Sequence, residues 1–345
     1  MEKLRIAIIG AGNIAQSAHL PVYVERDDVD MVAIADWNLE RAQAAAKKFG
    51  VKKAYRTVEE VLANEEVDAV DICVWNRSHS EVAIAAARAG KAILCEKPLA
   101  LNVEHALRMK EEVEKAGVTF MLAVPNRYRS EYRLARDMVD AGKLGEIYYA
   151  KTAMVRRRGT PLGWFTDTAK AGGGPVIDIG VHCIDRTWFL MGCPKPVRVS
   201  ASTSNRIGDY KTKGVSRWIA LDSDVTAFDT EDSAAGVIHF ENGACMLFEV
   251  SWALNMEPTD YTVVCGTKAG IKMDPFTVYG EDMDHLTDNT PTFIEVNPFA
   301  VEIDHFIDCV RTGKKPQSTL DEGLTVQRML NGIYDSARLG KEIEI

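Results

Sequence analysis

The sequence predicts a doubly wound parallel α/β domain over residues 1–125, followed by an α+β domain over 126–345 with a large open, mainly antiparallel sheet. Three observations carry this. Residues 4–124 alternate short apolar runs with amphipathic stretches, the pattern of strands joined by helical crossovers. After Asn126 the runs become longer and strand-like, without helices between most of them. Finally, a chain of 345 residues is long for a single hydrophobic core.

In the first domain, strands are expected at Leu4 to Ile9, Asp30 to Ala35, Ala69 to Val74, Ala92 to Cys95 and Thr119 to Val124. Helices are expected at Leu39 to Phe49, Val58 to Ala63, Val82 to Ala89 and Val103 to Ala116. Gly50, Gly90 and Gly117 follow three of these helices, where a left-handed residue closes a helix end at least cost. In the second domain, Tyr132 to Ala141 reads as a helix. Ile147 to Arg157, Val197 to Asn205, Ser233 to Phe240, Ala244 to Trp252 and Tyr261 to Cys265 read as strands. Asn242-Gly243 separates two of them and signals a hairpin. Met246, Phe248, Val250 and Trp252 alternate with Cys245, Leu247, Glu249 and Ser251, so one face of that strand is apolar and the other mixed. The uncovered face suits a subunit interface, and a homodimer or homotetramer through the open sheet is expected. Ala300 to Arg311 and Asp321 to Leu339 read as helices.

The net charge of -9 argues against a general attraction to nucleic acid or anionic membrane. No run approaches the ~18 apolar residues of a membrane span, and the first residues lack the pattern of a secretory signal, so a cytoplasmic protein is expected. The seven cysteines are scattered, odd in number and without a Cys-x-x-Cys, which reads as buried thiols that are neither disulfides nor metal ligands.

Gly10-Ala11-Gly12-Asn13-Ile14-Ala15 follows the first strand directly and opens a helix. The first glycine permits a tight turn, the second lets the backbone approach a pyrophosphate, and a small residue at Ala15 allows close helix-to-strand packing. This is the dinucleotide fingerprint of a Rossmann domain, with Gly10, Gly12, Asn13 and Ile14 at the phosphates. Asp36 ends the second strand, where a carboxylate accepts hydrogen bonds from ribose hydroxyls and repels a 2'-phosphate. Trp37 and Asn38 bring no adjacent positive charge, so NAD is favoured over NADP; Arg41 leaves some NADP use open.

Lys97 follows a strand-like run at the carboxyl edge of the sheet, where ligands of open sheets bind. An isolated Lys-Pro pair is more often an exposed turn; here the nucleotide signature upstream favours a reactive lysine. Asp178 and His182 lie four apart in an expected helix and share one face, with Asp185 one turn on. Such a pair alone is more often a surface ion pair. Gly172-Gly173-Gly174 and Gly180, which costs about 1 kcal/mol relative to alanine inside a helix, argue that something approaches this backbone closely.

Taken together, the loop from Gly10 to Ala15, Asp36, Asn76 with His79, Glu96-Lys97-Pro98, Asn126-Arg127, Gly172-Gly173-Gly174 and Asp178 to His182 with Asp185 resemble the Gfo/Idh/MocA family of oxidoreductases over essentially the whole chain. The resemblance implies that substrate and nicotinamide are what approach the glycine run, and that a cis peptide can precede Pro98. It also implies that Trp37, Asn76, His79, Glu96, Lys97 and Asn126 lie along the cofactor. Lys97, Asp178 and His182 would be the catalytic residues, with Lys97 or His182 taking the proton. Lys97, Asp178 and His182, with Arg127, Tyr128, Arg156, Arg158 and Trp164, would bind substrate; for Arg156 and Arg158 a solvated cluster, and for Trp164 packing under a loop, remain alternatives. The expected function is NAD-dependent oxidation of a ring secondary hydroxyl of a sugar, glycoside or inositol. The alternatives are an NADP(H)-linked sugar or ketone reductase, an NAD-assisted glycoside-cleaving enzyme, and a non-catalytic NAD or sugar sensor.

Overall fold

A computed structural model of the chain describes residues 2–215, 218, 220 and 228–345. They form two compact units, one of Met1–Pro125 with Phe299–Gln327 and one of Asn126–Pro298 with Arg328–Ile345. The expectation of one continuous second domain over 126–345 is therefore corrected, because residues 299–327 pack into the first unit.

The first unit is built on six parallel strands: β1 (Leu4–Ile9), β2 (Val29–Ala35), β3 (Lys53–Tyr55), β4 (Ala69–Ile72), β5 (Ala92–Glu96) and β6 (Phe120–Ala123). Their order is β3-β2-β1-β4-β5-β6, so the winding direction reverses between β1 and β4. That reversal opens a crevice beyond the carboxyl ends of these two strands. The three-residue β3 is too short to carry a periodic signal, and the sequence reading misses it. Between the strands, Asn38, Thr57 and Asn102 each accept a backbone N–H at a helix start. Gly50, Gly90 and Gly117 take positive φ at helix ends.

Specific bonds explain why 299–327 belong here. The Leu122 N–H donates to the Ser318 carbonyl at 3.0 Å, and Ser318 Oγ donates to the Leu122 carbonyl at 2.6 Å, so the outer edge of β6 is covered. Leu320 and Leu324 join the apolar cluster that contains Leu99 and Leu122.

The second unit carries a nine-stranded sheet, formed by β7 (Ile147–Val155), β8 (Pro196–Ser204), β9 (Ser233–Phe240), β10 (Cys245–Ser251), β11 (Thr259–Gly266), β12 (Gly270–Met273), β13 (Thr277–Asp282), β14 (His285–Asn289) and β15 (Ile343–Glu344). The order is β14-β13-β12-β11-β7-β10-β9-β8-β15, antiparallel except for β7 with β10. The hairpin at Asn242-Gly243 is present: Gly243 has φ 84° and its N–H donates to the Phe240 carbonyl at 3.0 Å. Met246, Phe248, Val250 and Trp252 are buried while Leu247 is exposed, as the alternation requires. The short strands β12 to β15 escaped the sequence reading. One reason is that β13 and β14 are joined at Met283-Asp284, whose positive φ values of 48° and 61° are adopted without a glycine. Among the described residues no helix is long and apolar enough to cross a membrane.

Candidate active site

In the first unit the glycine turn is shaped by its neighbours. Gly10 has φ 106°, and a Cβ there would overlap the Cys73 carbonyl beyond β4, so only glycine fits. A continuous helix starts at Asn13 and includes a π-helical segment at Ala15–His19. Gly12, Asn13 and Ile14 are half-buried at its mouth.

Asp36 is buried and fully engaged. Its Oδ2 accepts the Ala11 N–H at 2.9 Å and its Oδ1 the Asn38 N–H at 2.8 Å. The Arg41 guanidinium grips both oxygens, with Nη2 to Oδ1 at 2.6 Å and Nε to Oδ2 at 2.9 Å. Trp37 and Asn38 bring no cation to Asp36, but five positions along, the helix start at Asn38 folds Arg41 back onto it. Arg41 also lies 5.4 Å from the centre of the exposed Trp37 ring, and Trp37 stands 5.9 Å from Trp75. This turn thus places a carboxylate and a guanidinium beside two indoles.

Lys97 is the one residue of 92–100 that is not buried. It follows β5, and the Lys97–Pro98 peptide is cis. Two expected cofactor residues are engaged within the protein instead. Both ring nitrogens of His79 face backbone carbonyls, Nδ1 that of Pro98 at 2.7 Å and Nε2 that of Val74 at 3.1 Å, and burial lowers its pKa. Glu96 accepts the Lys97 N–H at 3.1 Å through Oε2, and its Oε1 lies 3.0 Å from His19 Nε2. These residues brace the strand ends from behind. Asn76, in the turn after β4, is buried.

In the second unit, a π-helical segment at Val176–Gly180 runs into a helix at Val181–Leu190. Every residue of 173–191 is buried except Asp178 and His182. Asp178 Oδ2 accepts the indole N–H of Trp252 at 2.9 Å, which fixes the carboxylate's direction.

The glycine run before this segment is explained differently from the sequence reading. A Cβ on Gly173 would overlap the Tyr334 hydroxyl, and one on Gly174 the Glu231 carbonyl. Gly180 packs at ordinary distance on Val250. What approaches this backbone is the protein's own interior. Glu231 accepts the Gly174 and Val176 N–H groups at 2.9 and 3.0 Å and the Tyr334 hydroxyl at 2.8 Å, capping the segment that carries Asp178. Burial pushes the Glu231 pKa up.

Arg127 was expected on the substrate. It is 1% exposed, with Nε and Nη2 on the two Asp185 oxygens at 3.0 and 2.6 Å. Its guanidinium also lies 5.1 Å from the Phe189 ring centre. The bidentate pair makes Arg127 and Asp185 internal struts, which corrects the placing of Arg127 on the substrate. Tyr128 is likewise buried, and Asn126 is half-buried beside it.

The two units also match a known family in turn. Residues 4–124 fit the description "Oxidoreductase family, NAD-binding Rossmann fold", and residues 132–272 fit the GFO/IDH/MocA C-terminal domain. A D-glucoside 3-dehydrogenase of Escherichia coli (strain K12) is 33% identical over 348 residues, spanning 99% of this chain and 97% of that protein. The chain belongs to the Gfo/Idh/MocA family. It is an NAD(P)-dependent oxidoreductase acting on CH–OH groups. A D-xylose 1-dehydrogenase (NADP(+)) 2 of Haloferax volcanii is 28% identical, covering 99% of this chain and all of that one. An aldose-aldose oxidoreductase from Caulobacter crescentus, solved with glycerol, superposes with a TM-score of 0.83 at 25% identity over the full length of both chains.

Against that family background, the remaining expected residues are placed as follows. β7 ends at Val155, two residues short of the expected Arg157, so Arg156, Arg157 and Arg158 lie in a loop. Arg156 Nη1 donates to the Gly159 carbonyl at 3.1 Å. Arg158 Nη2 donates to Asn255 Oδ1 at 2.7 Å, and its guanidinium lies 5.5 Å from the Tyr210 ring centre. Both hold loop backbone. Trp164 stacks on Phe165 at 4.0 Å, and Phe165 meets Trp218 edge-on at 5.2 Å. Sequence reasoning missed Trp252, Glu231 and Tyr334, which set the Asp178 segment, and His19, Asp71 and Glu302, which lie behind Lys97. Asp71 did leave a signal: a charge inside the apolar run Ala69 to Val74 demands a buried partner.

Proposed function

We propose that the chain oxidises a ring secondary hydroxyl of a sugar, glycoside or inositol, with Lys97, Asp178 and His182 serving the reacting oxygen. The observation that carries this is selective access. Lys97 alone is accessible in 92–100, and Asp178 and His182 alone in 173–191. A side chain left open in an otherwise sealed segment, and in these three cases polar and able to exchange or orient a proton, is what an active site needs.

Gly10, Gly12, Asn13 and Ile14 would hold the pyrophosphate, Asp36 with Trp37 and Arg41 the adenosine end, and Asn76, Lys97 and Asn126 the nicotinamide end. When bound, the nicotinamide takes the hydride from the alcohol carbon. His182, whose ordinary pKa near 6.5 suits a general base at neutral pH, accepts the hydroxyl proton. Lys97 hydrogen-bonds the same oxygen and shares that proton with His182. Asp178, aimed by Trp252, orients a neighbouring hydroxyl. Trp164 and its stacked partner Phe165 offer a face to a sugar ring.

NAD is the proposed cofactor, with NADP accepted more weakly because Arg41 offsets the Asp36 charge. The D-glucoside 3-dehydrogenase relative favours a glucoside over a free polyol. The test is turnover on alkyl glucosides, aldoses and inositols with NAD or NADP, followed by nicotinamide absorbance. Oxidation of glucosides is expected, whereas reaction only with an unrelated carbonyl compound refutes the substrate class. Lys97→Ala should lower turnover by about 100- to 10,000-fold with NAD affinity kept; wild-type turnover sinks the role. We also propose a homodimer or homotetramer through the sheet face that exposes Leu247, to be checked by light scattering, where a monomer would refute it.

A further inference from the structure

Behind Lys97 the first unit buries a cluster of ionisable groups that the proposed chemistry does not use directly. His19, on the π-helical segment, is 0% exposed. Its Nδ1 lies 2.7 Å from Asp71 Oδ2 and its Nε2 lies 3.0 Å from Glu96 Oε1. The Tyr23 hydroxyl, from the same helix, donates to Asp71 Oδ2 at 3.0 Å, and the Cys73 thiol lies 3.5 Å from Asp71 Oδ1. From the helix Pro298–Thr312, the Phe299 ring closes over His19 at 6.0 Å. Glu302 of that helix accepts the Val124 N–H at 2.6 Å through Oε1.

Two carboxyl groups face the two nitrogens of one imidazole. Where both are ionised they only accept, so both ring nitrogens carry a proton and the ring is an imidazolium; a protonated carboxyl would instead donate to a neutral ring. Burial, the largest single influence, favours the neutral ring, and the neighbouring groups, Asp71 foremost, together outweigh it and hold the His19 pKa well above its ordinary value. Burial, then the Glu96 charge, pushes Glu302 well above the carboxylate range, so Glu302 is neutral. Cys73 is pushed up to about 12 by burial and by Asp71, and stays a thiol. The charged core is then Asp71, His19 and Glu96 in a row. The donor atoms of His19, Asp71 and Cys73 lie within 4.8 Å of one another.

The row ends on Lys97. Glu96 uses Oε1 for His19 and Oε2 for the Lys97 N–H, so the imidazolium sets the carboxylate's rotamer and the carboxylate sets the backbone at Lys97. On the far side, His79 holds the Pro98 carbonyl at 2.7 Å. We propose that His19 is a positioning residue: as an imidazolium clamped between Asp71 and Glu96, it fixes the Glu96 carboxylate and thereby the place from which the Lys97 ammonium reaches the substrate oxygen. This rests on the reading of Lys97 as a catalytic residue.

A double-mutant cycle separates positioning from general support of the fold. His19→Gln in the wild-type background should lower kcat by roughly ten- to hundredfold while the KM for NAD moves less than about twofold. In the Lys97→Ala background the same substitution should change kcat by less than about twofold, since the group it positions is gone. Equal losses in both backgrounds, or an unchanged kcat in the wild-type background, overturn the positioning role alone. Wild-type turnover in Lys97→Ala removes the reading of Lys97 and the positioning role together. Should His19→Gln not fold, Asp71→Asn keeps an acceptor on His19 and leaves its pair with Glu96; it goes through the same cycle, with a several-fold loss expected only where Lys97 is present. Ring nitrogen NMR of the intact enzyme needs no such variant. Both His19 nitrogens should be protonated at pH 8, and a neutral tautomer there overturns the proposal.

Discussion

Two glycine turns in this molecule look alike in sequence and differ in cause. At Gly10-Ala11-Gly12 the backbone must pass the end of β4, and Gly10 takes a φ of 106° that few other residues adopt. At Gly172-Gly173-Gly174 the space is filled by Tyr334 and Glu231. Both turns lean on a buried carboxylate that accepts their amides, Asp36 for Ala11 and Glu231 for Gly174 and Val176. Asp36 is shared with the Arg41 guanidinium, whereas Glu231 has a phenol, Tyr334. The first carboxylate therefore ties the glycine turn to Arg41, and the second braces the segment bearing Asp178. Glycine spacing alone does not tell a ligand cradle from tight internal packing, since a backbone carbonyl of the protein fills the missing Cβ position at both Gly10 and Gly174.

The contrast is broken most directly at the glycine of each turn whose missing Cβ faces a backbone carbonyl. Gly10→Ala and Gly174→Ala should each cost on the order of 2–4 kcal/mol through overlap with backbone carbonyls. Gly10→Ala should also weaken NAD binding by at least about tenfold, while Gly174→Ala leaves it within about twofold. Thermal midpoints with NAD titration of the folded fraction decide this, and equal loss of NAD affinity in both would erase the distinction. Next in size, Gly173→Ala should cost about 1–3 kcal/mol. Combined with Tyr334→Leu, which removes the obstructing hydroxyl, the loss should fall short of the sum of the two single losses by at least about 0.5 kcal/mol. Strict additivity would mean that Tyr334 is not what the glycine accommodates.

Glu231 sharpens the comparison through pH. Its folded pKa is raised, burial being the main cause, so folding favours its neutral form. Its contribution to stability is complete below the ordinary glutamate value and is lost as pH climbs through the raised folded value. Wild-type stability relative to Glu231→Gln should therefore decline as pH rises above the ordinary glutamate range. A difference that stays flat with pH refutes it. The smallest effect belongs to Arg41→Ala. Freeing Asp36 from its guanidinium should shift the ratio of kcat/KM toward NAD over NADP by about 1 kcal/mol, a factor of roughly five; an unchanged ratio would mean that Arg41 does not face the ribose end.

The sequence by itself determined the parts that depend on near neighbours in the chain. The β1 to Gly10 turn, the helix caps at Asn38 and Asn102, the Asn242-Gly243 hairpin and the spacing of Asp178 and His182 are encoded within a few residues, because strand and helix periods and turn chemistry are local. Tertiary structure alone decided the rest. It returned 299–327 to the first unit, so that Ser318 covers β6 and Glu302 caps Val124. It withdrew Arg127 into a pair with Asp185, set Tyr334 and Glu231 against the second glycine turn, and stacked Asp71, His19 and Glu96 behind Lys97. Each of these joins residues 50 or more positions apart. A buried charge or an emptied Cβ position announces in sequence that a partner exists, but only the packed chain shows which side chain supplies it.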